Sequence, residues 1–284
     1  MITDAPEPIA RLPCAGMRPE VARPPIAGVC AEDAAGLPAA EVLAAELSLP
    51  VLPPGFAGSP ESPTGQLVLT LRAGRLELAT TGRRAPGGVA ADFCGELQRE
   101  LARPGAGRRR ALARAAGLGP GEPPEVVDAT AGLGRDAFRL ASLGCQVMLV
   151  ERSPVVAALL ADGMRRASAD SCAAPAIGRL RLVTGDARDV LRRAPPPDVV
   201  LIDPMYPPAR KSAAPGRELA LLRQLLGPDA DAGELLAVAR DVARRRVVVK
   251  RRAHDPPLEG ARPDLSWPGR STRFDVYLAS HRGN

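Results

Sequence analysis

One stretch of this chain ends a strand in side chains better suited to chemistry than to packing. The apolar run Val199-Val200-Leu201-Ile202 stops abruptly in Asp203-Pro204-Met205-Tyr206. Such an ending presents a carboxylate, a proline-stiffened backbone and an aromatic ring together. An exocyclic amine on a base is a poor nucleophile, because its lone pair is delocalised into the ring. Asp203 and the Pro204 carbonyl could accept both N–H groups of such an amine and turn the lone pair toward an electrophilic methyl group. Tyr206 could stack on the unstacked base. Displacement at a methyl carbon runs in line, so positioning carries most of the catalysis. The plainer alternative is a proline-terminated strand with a core tyrosine.

Three upstream sites stand in an order that matches this chemistry. Asp128-Ala-Thr130-Ala-Gly132-Leu-Gly134-Arg135-Asp136 lies between a short strand and a helix. Its glycines let a ligand approach the backbone, and Asp136 falls near the helix start. The spacing is neither GxGxxG nor a phosphate loop, since no Gly-Lys-Ser/Thr follows. A loop that begins with Asp128 suits a cationic methionine moiety better than a pyrophosphate. Glu151 follows the next strand, roughly 20 residues on, where an acid can bond ribose hydroxyls. Asp186, after the third strand, could accept an adenine amino group, with Ala187 lining the same pocket. Each site taken singly also reads as an ordinary turn or helix cap.

Cations flank the same edge. Arg210 and Lys211 follow the Asp-Pro-Met-Tyr loop, and Lys250-Arg251-Arg252 end a later apolar run. Arg210, Lys211, Lys250 and Arg251 are candidate clamps for nucleic-acid phosphates. His254 and His281 have no spacing for a metal or a triad, and no metal site is expected.

These residues need a sheet to bring them together. Strands are predicted at 126–127, 147–150, 180–183, 199–202, 246–250 and 274–278, alternating with helices at 136–143, 154–166, 187–193, 218–226 and 232–243. That alternation implies an α/β fold whose mostly parallel sheet is covered on both faces. Upstream, a helix over 38–49, a Pro/Gly-rich loop over 53–65 and a hairpin at 67–71 and 76–78 suggest a small N-terminal α+β domain over residues 26–85. Residues 1–25 read as a disordered extension, and 86–124 as a basic connecting segment with a helix from Arg110 to Ala116. Residues 125–284 form the alternating α/β domain.

Bulk composition bounds the rest. The chain has 284 residues, 45% of them apolar, enough for a sizeable core. Aromatics are only 2%, so few rings are available to stack bases. Thirty-eight Lys plus Arg against 32 Asp plus Glu give +6. That balance fits a polyanionic partner. It equally fits an arginine-rich composition, since Ala, Gly and Pro are also abundant and lysine is nearly absent. Five cysteines at 14, 30, 94, 145 and 172 have no zinc or redox spacing, which suggests reduced thiols. No run approaches the ~20 apolar residues of a membrane span, and a cytoplasmic protein is expected.

Taken in series, the motifs resemble the bacterial ribosomal small subunit methyltransferase J family. The stretches that carry the resemblance are Asp128 to Phe138, Glu151 to Leu160, Asp203-Pro-Met-Tyr206, Leu226-Gly-Pro-Asp-Ala-Asp231, Arg245 to Arg251 and Arg273-Phe-Asp-Val-Tyr277. Gly87-Gly88, Asp92-Phe93 and Gly105 to Gly117 also look like the family. The likeness covers residues 86–280 well and the N-terminal part weakly. It implies a Rossmann-like class I methyltransferase domain with a seven-stranded sheet, S-adenosylmethionine as cofactor, and methylation of a guanine N2 amino group in 16S rRNA or the small ribosomal subunit. It also implies cofactor contacts at Arg135, Asp136, Glu151, Arg152, Asp186, Ala187 and Asp203. Competing readings are an amino-methyltransferase of the same fold acting on DNA adenine or protein glutamine, and a non-catalytic RNA-binding or assembly protein.

Overall fold

The computed structural model describes residues 26–83, 87–101, 107–205, 216–269 and 271–279. The extension expected over 1–25 lies outside the described residues, as do Tyr206, Arg210 and Lys211. The chain opens with strand β1 (Ile26–Ala31), helix α1 (Leu37–Leu47) and the hairpin strands β2 (Leu67–Arg72) and β3 (Arg75–Thr80). The hairpin turns through Ala73 and Gly74, with φ of +46° and +73°. Two positive φ values match the right-handed twist of the flanking strands. β1, which the sequence did not reveal, pairs parallel to β2 and makes a three-stranded sheet. Gly28 interrupts it where a Cβ would lie 2.4 Å from the Pro50 carbonyl oxygen.

Two helices follow in the stretch read as a basic connector, α2 (Phe93–Leu101) and α3 (Gly107–Ala116). Their arginines drew the eye, but Phe93, Leu112 and Ala115 are buried in the core. α3 starts three residues before the predicted helix. From there strands and helices alternate: β4 (Val126–Asp128), α4 (Arg135–Ala141), β5 (Val147–Glu151), α5 (Pro154–Ser168), α6 (Ala174–Ile177), β6 (Leu180–Thr184), α7 (Ala187–Arg193), β7 (Val199–Ile202), α8 (Arg217–Leu226), α9 (Ala232–Val242), β8 (Arg246–Arg252), β9 (Leu265–Pro268) and β10 (Thr272–Leu278).

The large sheet has seven strands in the order β6-β5-β4-β7-β8-β10-β9. β6, β5, β4, β7 and β8 run parallel, while β10 is antiparallel to β8 and to β9. The fold is therefore the Rossmann-like α/β sheet expected. Its seventh strand, β9, has mostly exposed residues and ends in Pro268. It pairs on one side only, so it has neither an apolar run nor an alternation to announce it.

Both sheet faces are buried, as parallel sheets require. Val199 and Leu201 enter one core with Leu112, Phe138, Leu159 and Leu222, whereas Val200 and Ile202 enter the other with Leu191, Leu235 and Ala239. α3, α4, α5 and α8 thus cover one face, and α7 and α9 the other. α5 illustrates the local logic. Ser153 caps its N-terminus by accepting the Val156 N–H at 3.4 Å, Pro154 occupies the first turn, and Arg165 and Arg166 sit in the last.

α5 also docks the N-terminal sheet. Leu76 N–H donates to Asp162 Oδ2 at 3.1 Å, and Arg165 Nη2 donates to the Gly74 carbonyl at 3.2 Å. Arg166 Nη2 donates to the Ala91 carbonyl at 2.6 Å. Gly163 permits this approach, since a Cβ there would lie 2.5 Å from that of Ala91. Leu67, Leu69, Leu76 and Leu78 of the small sheet belong to the same apolar cluster as Leu149 and Leu160.

Candidate active site

The sheet order reverses at β4. The chain goes from β4 to β5 and β6 on one side, then crosses back to β7 and β8 on the other. The carboxyl edge at such a switch point is where open α/β sheets bind ligands. A cavity of about 400 Å³ opens there, with Gly132, Glu151, Asp186, Asp203, Leu222 and Lys250 among its walls. The residues singled out after four different strands therefore meet in one place.

Asp128 ends β4 and is almost fully buried. Its Oδ1 accepts the Thr130 N–H at 3.3 Å. Burial, then the charge of nearby Asp136, pushes its carboxyl up to about 8. The loop beyond turns through Gly132 and Gly134, with φ of +54° and +73°. At Gly134 a Cβ would come within 2.7 Å of Leu160 Cδ1. At Gly132 nothing lies nearer than 4.0 Å, so the left-handed backbone alone demands glycine there.

Glu151 ends β5 and ties the glycine loop to the next strand. Its Oε2 accepts the Gly132 N–H at 2.9 Å and its Oε1 the Ser153 N–H at 2.8 Å. Burial pushes this carboxyl up to about 7. Each carboxylate oxygen has a second lone pair, so Glu151 keeps the capacity to accept two hydroxyl donors. Asp186 caps α7, accepting the Arg188 N–H at 2.8 Å, and Arg188 holds its carboxyl below the usual range. Ala187 is the buried first residue of that helix.

This donor set fits S-adenosylmethionine. A cationic, hydroxyl-rich ligand meets two buried carboxylates whose ionised forms it would favour, beside a loop without side chains at its two turning points. Asp128 and Glu151 would hold its charged and ribose ends, with Asp186 at the far wall.

The loop after β7 is held at both ends. Asp203 N–H donates to Thr130 Oγ1 at 2.6 Å, which joins it to the glycine loop. Met205 N–H donates to Asp229 Oδ2 at 2.6 Å, and Asp229 N–H returns to the Met205 carbonyl at 3.1 Å. Asp229 also pairs with Arg152, which reaches Asp231 at 3.1 Å. Lys250 joins Asp203 to Asp136, bonding Asp136 Oδ2 at 2.7 Å. Arg139 bonds Asp136 Oδ1 at 2.6 Å and pairs with Glu96 of α2.

The remaining predicted residues sort by place. Arg135 pairs with Glu218 of α8 at the cavity wall. Arg251 is buried and donates to the Pro256 carbonyl. His254 is exposed. Arg188 and Glu96 were not singled out, and Thr130, Asp229 and Asp231 were read only as members of their motifs, without a role of their own. Asp229 and Asp231 lie in the Gly-Pro-Asp-Ala-Asp stretch, where the short spacing of two acids was the available signal.

The comparisons with known proteins agree with this geometry. Residues 58–279 match the SAM_MT family of SAM-dependent methyltransferases. The ribosomal RNA small subunit methyltransferase J of Thioalkalivibrio sulfidiphilus is 53% identical over 243 residues, covering 84% of this chain and 92% of that protein. That of Nitrosococcus oceani is 46% identical over 256 residues, covering 89% and 98%. The crystal structure of a SAM-dependent methyltransferase from Neisseria gonorrhoeae matches with a TM-score of 0.66 at 32% identity, over 90% of this chain and 97% of that one. With nearly whole chains in correspondence and the cavity at the switch point of the sheet, the chain belongs to the ribosomal RNA small subunit methyltransferase J family and is an enzyme whose cofactor is S-adenosylmethionine.

Proposed function

We propose that this enzyme methylates the exocyclic N2 amino group of a guanine in 16S rRNA. The observation that carries the reading is the Asp203-Pro204-Met205 segment, fixed at the switch point by Thr130 on one side and Asp229 on the other. S-adenosylmethionine supplies an electrophilic methyl group carried on a sulfonium. The chain's own residues then do the positioning. Asp203 and the Pro204 carbonyl accept the two N–H groups of the amine, and Tyr206 stacks on the base. The rigid backbone costs no reorganisation at the moment of transfer. Arg210 and Lys211 take phosphates of the RNA.

The names of the relatives support ribosomal RNA as the substrate, and the net charge of +6 suits it. The test is methyl transfer from labelled cofactor to small-subunit particles from cells lacking the enzyme, followed by nucleoside analysis. Labelled N2-methylguanosine, lost in Asp203→Ala, is the expected result. Cofactor binding without transfer to RNA would redirect the search to DNA adenine and protein glutamine.

A further inference from the structure

We propose that Lys250 is a positioning residue for methyl transfer, its ammonium group fixing the orientation and charge of Asp203, rather than a clamp for RNA phosphate. The inference rests on the reading of Asp203 as the group that receives the substrate amine.

Register places the two side by side. β8 runs parallel to β7 with Ile202 opposite Val249, so the next step along both strands brings Asp203 level with Lys250. The Lys250 side chain is 12% exposed and that of Asp136 7%, whereas Asp203 keeps 38% toward the cavity. An ammonium has three N–H donors and a carboxylate about four acceptor sites. Lys250 can therefore hold Asp136 and Asp203 together while occupying only part of the acceptor capacity of each carboxylate.

The surrounding charge explains why a cation is needed. Asp128 from β4, Asp136 from α4 and Glu218 from α8 all act on this patch. Arg139 of α4 is committed to Asp136 and to Glu96 of α2. Loss of the Lys250 charge would favour protonation of Asp203 beside Asp128 and Asp136. A protonated Asp203 is a poor acceptor for the amine. In the transfer a nitrogen–carbon bond forms, a methyl–sulfur bond breaks with its electron pair left on sulfur, and one surplus proton remains on nitrogen. An ionised Asp203 takes that proton and passes it to solvent through its exposed edge.

A phosphate clamp needs the opposite setting. It must reach solvent, and its anion must not meet other anions. An RNA phosphate at Lys250 would abut both Asp136 and Asp203.

The test compares Lys250→Met and Lys250→Arg with the unsubstituted enzyme on small-subunit particles, reading kcat, the KM for RNA, its salt dependence and the acidic limb of the pH profile. Melting temperature and cofactor affinity serve as folding controls. Lys250→Met is expected to lower kcat about a hundredfold, with the KM for RNA and its salt slope unchanged and the acidic limb moved to higher pH. Lys250→Arg keeps the charge and should keep the acidic limb; if the methionine variant does not fold, Lys250→Gln, which keeps N–H donors without the charge, should show the lowered kcat and the moved limb. A raised KM with a salt slope reduced by about 1 and kcat intact would show a phosphate clamp and overturn the inference. So would unchanged kinetics in both variants. Failure of the unsubstituted enzyme to methylate RNA would instead count against the proposed function.

Discussion

Met205 and Asp229 hold each other through two reciprocal hydrogen bonds, at 2.6 and 3.1 Å, across the gap between the loop after β7 and the segment joining α8 to α9. The same carboxylate pairs with Arg152, next to the glutamate that ends β5. The loop after β7 is thereby tied to the cavity wall at the end of β5. Asp229→Ala should lower kcat about a hundredfold, with cofactor affinity changed much less. Single-turnover transfer and calorimetric binding would separate the two. An unaltered single-turnover rate would show that Met205 needs no such support.

Asp203→Asn should remove a charge from the site while keeping its shape. Loss of one preorganised group typically lowers the rate by about 10²–10³. We expect a loss of that size in methyl transfer, with the Kd for cofactor within a few-fold of the parent. A variant that transfers at full rate would exclude Asp203 from the chemistry.

Asp128 at about 8 and Glu151 at about 7 lie above the ordinary values of 3.8 and 4.5. In the ligand-free protein the folded state thus binds protons more tightly than the unfolded one. Their contribution to stability is full below about pH 4 and is lost as pH rises through 7 to 8. A cationic cofactor with hydroxyl donors favours the ionised forms. Binding should therefore release protons near pH 7 and tighten between pH 6 and 8. Calorimetry in two buffers of different ionisation enthalpy reads this directly. Flat affinity without proton release would mean both acids are already ionised.

Gly134→Ala should destabilise the fold. Its φ of +73° and the 2.7 Å approach to Leu160 Cδ1 leave no room for a methyl group. A strained backbone position of this kind costs roughly 1–3 kcal/mol. Gly132→Ala has the same backbone strain without the crowding, so it should melt above Gly134→Ala and act more on cofactor affinity. Thermal melts and binding isotherms of the pair would distinguish the two glycines. Equal melting temperatures would contradict the packing argument.

How much of this was legible in the sequence depends on what each residue does. β4, β5 and β7 are apolar runs because both their faces are buried; these three and β6 each lead into an acid or glycine that lines the cavity, and β8 contributes Lys250 instead. β9 sits at the edge, with Leu265 44% exposed, and gave no period to read. α3 read only as a helix in a basic connecting segment, because charge in the sequence does not show that Leu112 and Ala115 turn inward. Lys250 was found as a cation on the functional edge. Its partners were hidden, because Asp136 and Asp203 lie 114 and 47 residues away. Asp229 and Asp231 act from a loop between two helices, a place that strand-by-strand reading passes over.

The small sheet leans on α5 through Asp162 and Arg165, and shares one apolar cluster with the large sheet. A catalytic half cut out by deleting everything before α2 would be left with a bare oily flank where Leu67, Leu76 and Leu78 had been. It would also lose the partners that steady the helix following Glu151. The two sheets should therefore unfold together, and a chain begun at the glycine loop should lack the packing that the small sheet supplies.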